Sequence, residues 1–242
     1  MSQSGLHGVI GLYGARLVRG NAVRRVSGPA LFGFVLGNII PDADFFALGL
    51  TYPFNGALAR AMHRSFTHSL ITIAVITLIG YLAARSRDGK GLAIGLGAGM
   101  LTHVFFDIFT WFSGVDLLWP LGLFGLPSKI NLWANVHLPT AVNNLLGAAD
   151  YLCFGLFYLY LASLARRRGT DAAFLPLLKR LTALQWAFTA LYAVLSFVLS
   201  GGLFEIAHYA MFILVFFPIA LYVTFKMRRT IEAIAEETPF AA

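Results

Sequence analysis

The chain has 242 residues, of which 58% are apolar and only 12% charged, and its mean hydropathy is positive. Soluble domains carry about a quarter charged residues and about 45–50% apolar ones, so the composition excludes an ordinary soluble domain and points to an integral membrane protein. The net charge of +7 comes from short Arg/Lys clusters, which in such a chain report topology before nucleic acid, and no nucleic-acid partner is expected.

The N-terminus lacks a basic stretch ahead of its first apolar run, so no cleavable signal peptide is expected. Gly5 to Val18 is apolar but short, which suits a half-buried, re-entrant or tilted helix. A spanning helix needs about 20 mostly apolar residues. Six windows meet that: Gly28 to Leu50, Thr67 to Ala84, Gly91 to Ser113, Leu145 to Ala165, Leu181 to Ser200 and Leu203 to Phe225. The expected fold is therefore an all-α polytopic membrane bundle of six or seven membrane helices, seven if the first short helix crosses. Cys153 is the single cysteine, so no disulfide framework forms within the chain. No solenoid-type repeat or low-complexity segment is evident.

Basic residues orient the spans. Arg16, Arg19, Arg24 and Arg25 form one cluster; Arg85, Arg87 and Lys90 the next; Arg166 to Arg168 with Lys179 and Arg180 a third; Lys226, Arg228 and Arg229 the last. Two candidate spans separate each cluster from the next. The positive-inside rule then places all four, and the C-terminus, in the cytoplasm of a bacterial inner membrane.

The polar residues inside the apolar runs fall at the opposite, periplasmic end. Asp42 and Asp44 close the first window, and His63, Arg64 and His68 precede the second. His103 and Asp107 lie in the outer half of the third. Asp150 opens the fourth, and Glu205 and His208 open the last. His7 joins them if the first helix crosses. An ionisable group within a span costs several kcal/mol and normally has a partner. Convergence at one depth is therefore informative.

Three stretches carry the chemistry. In NIIPDADF, Pro41 bends the chain and the two carboxylates that follow can ligate a cation or sit in a headgroup-level turn. In HRSFTHS, Ser65 or Thr67 can cap the following helix. The two imidazoles five residues apart suit ligands or acid/base groups. Arg64 suits phosphate or carboxylate oxygens, or snorkels to headgroups. In THVFFD, His103 and Asp107 stand at i and i+4 and project from one helix face, as ligands or as a plain buried hydrogen bond. Asp116, Trp119, His137, Asn143 and Asn144 read as loop polars or an interfacial anchor. Asp150, Glu205 and His208 read as helix–helix hydrogen bonding or a network behind the site.

Taken together, His7, PDAD at 41–44, HRSFTHSL at 63–70 and LTHVFFDIFTWFSGVDLLWP at 101–120 resemble the YdjM/YbcI-like membrane-bound metal-dependent hydrolase family. The resemblance covers roughly residues 5 to 122. It suggests a division into a metal-site helical core over 1–122 and a three-helix membrane part of the same bundle over 123–242. Two departures from the family pattern stand out: Phe45 where a histidine often follows PDxD, and Ser65 in place of the glycine of HRG. The resemblance implies a metal set of His7, Asp42, Asp44, His63, His68, His103 and Asp107, with a ligand logic shared with zinc-dependent phospholipases C.

Imidazole and carboxylate ligands without thiolate suit zinc first, then manganese or iron, as one or two divalent ions. The expected chemistry is hydrolysis of a lipid or lipid-linked phosphoester by a metal-activated water. A carboxylate not used as a ligand, Asp44 or Asp107, serves as general base, and Arg64 holds a phosphoryl oxygen. The competing expectation is a non-enzymatic membrane protein that uses the same cluster for metal or proton transport.

Overall fold

The structure, a computed structural model, describes residues 4–21, 26–51, 54–56, 62–110 and 114–236. Arg24 and Arg25 of the first basic cluster lie outside the described residues, as does the end of the Gly91–Ser113 window. The described chain is an all-α bundle with one short hairpin. Its helices are α1 (Ser4–Asn21), α2 (Gly28–Gly37), α3 (Asp44–Thr51), α4 (Leu70–Ala83), α5 (Arg87–Thr110), α6 (Thr140–Arg168), α7 (Leu175–Val198), α8 (Gly201–Met211), α9 (Phe217–Lys226) and α10 (Arg228–Glu232).

Four of the described helical segments are long and apolar enough to cross a membrane: α5, α6, Ala172–Val198, and Gly201–Lys226, which joins α8 to α9. The pair Gly28–Gly37 and Ile40–Thr51 makes a fifth if its 47° bend is counted within one span. The remaining window, Thr67 to Ala84, falls short, as does the shorter Gly5–Val18 stretch, so the described residues support four or five spans and the expected six or seven are not confirmed. The second apolar window loses Thr67 and His68 to a 3-10 turn at Phe66–His68 and Ser69 to the helix cap, leaving α4 with 14 residues. At 1.5 Å per residue that is about 21 Å, against a hydrocarbon core of about 30 Å.

Helix α1 is long enough at 18 residues but is studded with glycine and polar groups. One face packs inward, with Leu12 and Ala15 fully buried, while Tyr13 and Leu17 are exposed on the other. Gly5 and Gly8 lie against the backbone and the Phe157 ring of α6, while Gly11 rests on Val35 and Asn38 of the α2 end. Small residues let helix backbones approach closely where lipid supplies no hydrophobic drive. The same device joins α2 to α5. A Cβ at Gly37 would sit 2.2 Å from the Leu96 carbonyl oxygen, and one at Gly99 would sit 2.1 Å from that of Phe34.

Two irregularities follow from proline. Pro41 has no N–H to offer the Gly37 carbonyl, so α2 stops and a 3-10 turn, Ile40–Ala43, carries the chain into α3. Pro218 likewise cannot bond back to Leu214, and a π turn at Phe212–Phe216 separates α8 from α9. Around that turn Tyr151, Phe154, Phe212 and Phe216 are fully buried and form the aromatic heart of the C-terminal half. Outward, Leu82, Phe105, Val194, Phe197 and Leu214 are exposed, as expected of a surface in contact with lipid.

The hairpin is small: β1 (Val115–Asp116) pairs antiparallel with β2 (Lys129–Ile130). It lies on HRSFTHS. The Asp116 N–H donates to the Arg64 carbonyl at 2.9 Å, the Leu70 N–H to the Leu117 carbonyl at 2.9 Å, and the Ser69 hydroxyl to the Trp119 carbonyl at 2.6 Å. Ser69 also caps α4 by accepting from the Ile71 N–H. The caps expected at Ser65 or Thr67 are not formed: Ser65 bonds to the Met62 carbonyl and Thr67 to His68. The helix begins at Leu70, five residues after Ser65 and three after Thr67, and its cap position is taken by Ser69.

Candidate metal centre

Asp107 is the hub. Its Oδ1 lies 2.9 Å from His7 Nε2. Its Oδ2 lies 3.2 Å from Arg64 Nε, 3.3 Å from His68 Nε2 and 3.6 Å from His103 Nε2. His103 Nε2 is in turn 3.2 Å from His68 Nε2 and 3.8 Å from Asp42 Oδ1. The His7 and His103 rings stack with centroids 3.7 Å apart. Two overlapping triplets result, His7–His103–Asp107 and Asp42–His68–His103, and either can hold a metal ion. All five residues are essentially sealed from solvent.

The donor chemistry fits a cation. His103 Nδ1 lies 2.8 Å from the Asn38 backbone carbonyl. That oxygen can only accept, so Nδ1 carries the proton and the Nε2 lone pair points into the cluster, the arrangement metal-ligating histidines require. His68 is also held from behind, its Nδ1 2.9 Å from the Thr67 hydroxyl, which can donate or accept, with Asp44 Oδ2 3.7 Å away. Two imidazole nitrogens facing each other at 3.2 Å match the edge of a tetrahedral site. Bonds of about 2.0–2.1 Å to a zinc-sized ion would separate two nitrogens by about 3.3–3.4 Å.

Asp44 and His63, also in the expected ligand set, stand together outside both triplets. Asp44 Oδ2 lies 3.0 Å from His63 Nδ1 and accepts the Arg64 backbone N–H at 2.8 Å. Its Oδ1 has no hydrogen-bond partner among the described residues, nor has His63 Nε2. These two are the least enclosed members of the cluster, at 7% and 10% side-chain exposure. Burial, the largest influence on His63, pushes its pKa below the ordinary 6.5. Phe45, where the family pattern often has a histidine, lays its ring 4.3 Å from that of His63 and so closes this flank with an apolar wall.

Arg64 does not snorkel. Its side chain is 2% exposed and its guanidinium reaches inward to Asp107. Its backbone φ is +61°, a left-handed conformation that bulky residues rarely adopt and that tends to mark functional turns. The turn presents the Arg64 N–H to Asp44, its carbonyl to the hairpin and its side chain to Asp107.

The remaining polar residues divide. Asp150 is buried, and its Oδ1 accepts the Gly5 N–H at 2.7 Å. Asn144 is buried and reaches the Ser196 carbonyl, while Asn143 and His137 are exposed. His208 is buried among Phe204, Tyr151 and Tyr192, and its ring nitrogens form no hydrogen bond among the described residues, contrary to the helix–helix bonding expected of it. Two contributors escaped the sequence reading. Ser4 donates its hydroxyl to Asp42 Oδ2 and stands at i−3 from His7, a same-face spacing that could have flagged it. The Asn38 carbonyl is a backbone group and leaves no mark in side-chain pattern.

No curated protein and no solved structure matches the chain. The family model described as "YdjM inner membrane protein" matches residues 1–168, from the N-terminus through the end of α6. That match and the buried His/Asp cluster it encloses place the chain in the YdjM inner membrane protein family.

Proposed function

We propose that the protein is a membrane-embedded metal-dependent hydrolase acting on a lipid or lipid-linked phosphoester. The observation that carries this reading is His103, shared by both triplets and fixed through Asn38 with its other ring nitrogen turned into the cluster. His7, Asp42, His68, His103 and Asp107 would hold the ion, with zinc the best match to a donor set of imidazoles and carboxylates. A bound divalent ion would supply Lewis acidity toward a phosphoryl oxygen and toward a water.

The chain's own groups supply the rest. Asp44, placed outside the triplets, is the better general base of the two expected carboxylates, and its Oδ1 is the atom that takes the proton. Asp107 is engaged by three imidazoles and so belongs to the ligand set. Arg64 offsets the charge of Asp107, and its planar guanidinium holds a phosphoryl oxygen. The lipid substrate follows from a polar cluster set in a bundle whose outer surface is apolar. The basic clusters favour a periplasmic site and a cytoplasmic C-terminus.

The test is metal content and phosphate release together. Purified wild type is expected to hold stoichiometric metal and to release phosphate or a phosphorylated headgroup from lipid vesicles. His103→Ala should lose both. Metal-loaded wild type that moves ions across a liposome without cleaving any lipid would instead establish the transport reading.

A further inference from the structure

We infer that Asp150 is a positioning residue for this centre: it seats the N-terminus of α1 and thereby sets where His7 meets Asp107. The inference rests on the metal reading above. The first N–H groups of a helix have no partner within it. One of them, Gly5 N–H, is taken by Asp150 Oδ1 at 2.7 Å. A carboxylate at that end is also favoured by the helix dipole. Gly5 lets the two backbones touch, since a Cβ there would lie 2.5 Å from the Phe154 nitrogen and 2.6 Å from the Asp150 carbonyl oxygen. The height of α1 along α6 is therefore set at Gly5.

His7 follows two residues later, about 3 Å further along the axis, with its Nε2 2.9 Å from Asp107. Helix α6 supplies no member of either triplet, so its polar contribution to the centre is this indirect one. Asp150 is 1% exposed, so water does not substitute readily for the bond it makes. Ser4, in the same first turn, binds Asp42 and ties that end of α1 to the second triplet.

The experiment measures zinc affinity by competition with a chromophoric chelator, alongside thermal unfolding, for detergent-purified protein. Asp150→Ala should weaken zinc binding about ten- to a hundredfold, the usual effect of losing an outer-shell support. Asp150→Asn keeps an oxygen acceptor for Gly5 and should stay near wild type. In the double variant His7→Ala/Asp150→Ala the two losses should combine to less than their product, because Asp150 acts chiefly through His7. Wild-type affinity in Asp150→Ala, or losses that multiply in the double variant, would overturn the inference. If Asp150→Ala does not fold, Asp150→Glu replaces it: its longer arm should displace α1 and weaken zinc at least about tenfold, and unchanged affinity would overturn the inference. Wild type that binds no zinc overturns the metal reading itself, and shows this before any variant is compared.

Discussion

At the scale of single residues, the cluster separates into groups that face inward and groups that support them. His103 and His68 each present Nε2 to the centre and are held from behind through Nδ1. Asp44 and His63 pair with each other instead. Loss of metal should follow that division. His103→Ala removes the residue common to both triplets, whereas His63→Ala removes neither a triplet member nor its support, and its metal content should stay close to wild type by elemental analysis. A second prediction concerns Arg64, whose φ of +61° is costly for any residue with a Cβ. Arg64→Gly and Arg64→Ala both forfeit the ion pair with Asp107. The glycine variant should nevertheless be the more stable by about 1 kcal/mol in chemical unfolding, because only it relieves the left-handed strain. The inward-facing histidines and aspartates were legible in the sequence because each is expensive in an apolar run and must find a partner. The Asn38 carbonyl was not, because every residue has one.

At the scale of helices, placement of the centre depends on close backbone contact. Gly33 and Gly37 on α2, with Gly95 and Gly99 on α5, bring the two helices together just below Asn38 and His103. Gly99→Leu has no room, since its Cβ would meet the Phe34 carbonyl at 2.1 Å, and that neighbour is backbone rather than a flexible side chain. It should lower the thermal unfolding midpoint and reduce metal content together, by separating Asn38 from His103. Gly202→Leu is the control: a Cβ there meets nothing within 4 Å, and stability should be unchanged within about 0.5 kcal/mol. The apolar windows marked the helices, but not which of them were long enough to span. The 3-10 turn at Phe66–His68 shortens α4 from within its window, and α1 turns inward because its glycines fit the backbone of α6.

For the whole molecule, metal and fold should be coupled. An ion bound only by the folded chain stabilises it by about 2.7 kcal/mol when present at a hundred times its dissociation constant. Chelation should therefore lower the unfolding midpoint of the purified protein, and added zinc should restore it. Topology gives a further prediction. A reporter fused after Ala242 should be active in the cytoplasm and silent in the periplasm, because the Lys226, Arg228 and Arg229 cluster closes the last span. The opposite result would move the metal centre to the cytoplasmic face.

Sequence by itself determined the solvent and the ingredients. A chain so poor in charge cannot cover itself for water, and ionisable residues set near one depth of an apolar chain must satisfy one another. Tertiary structure alone decided how they share that task. His7, Asp42, His68, His103 and Asp107 interlock, while Asp44 and His63 stand aside. Arg64 turns inward, and Asp150, from a helix that lends no ligand, holds the first helix in place. The reason is geometric. Periodicity along one helix says which side chains share a face, but which faces meet, and at what height, is set by backbone contacts between helices far apart in the chain.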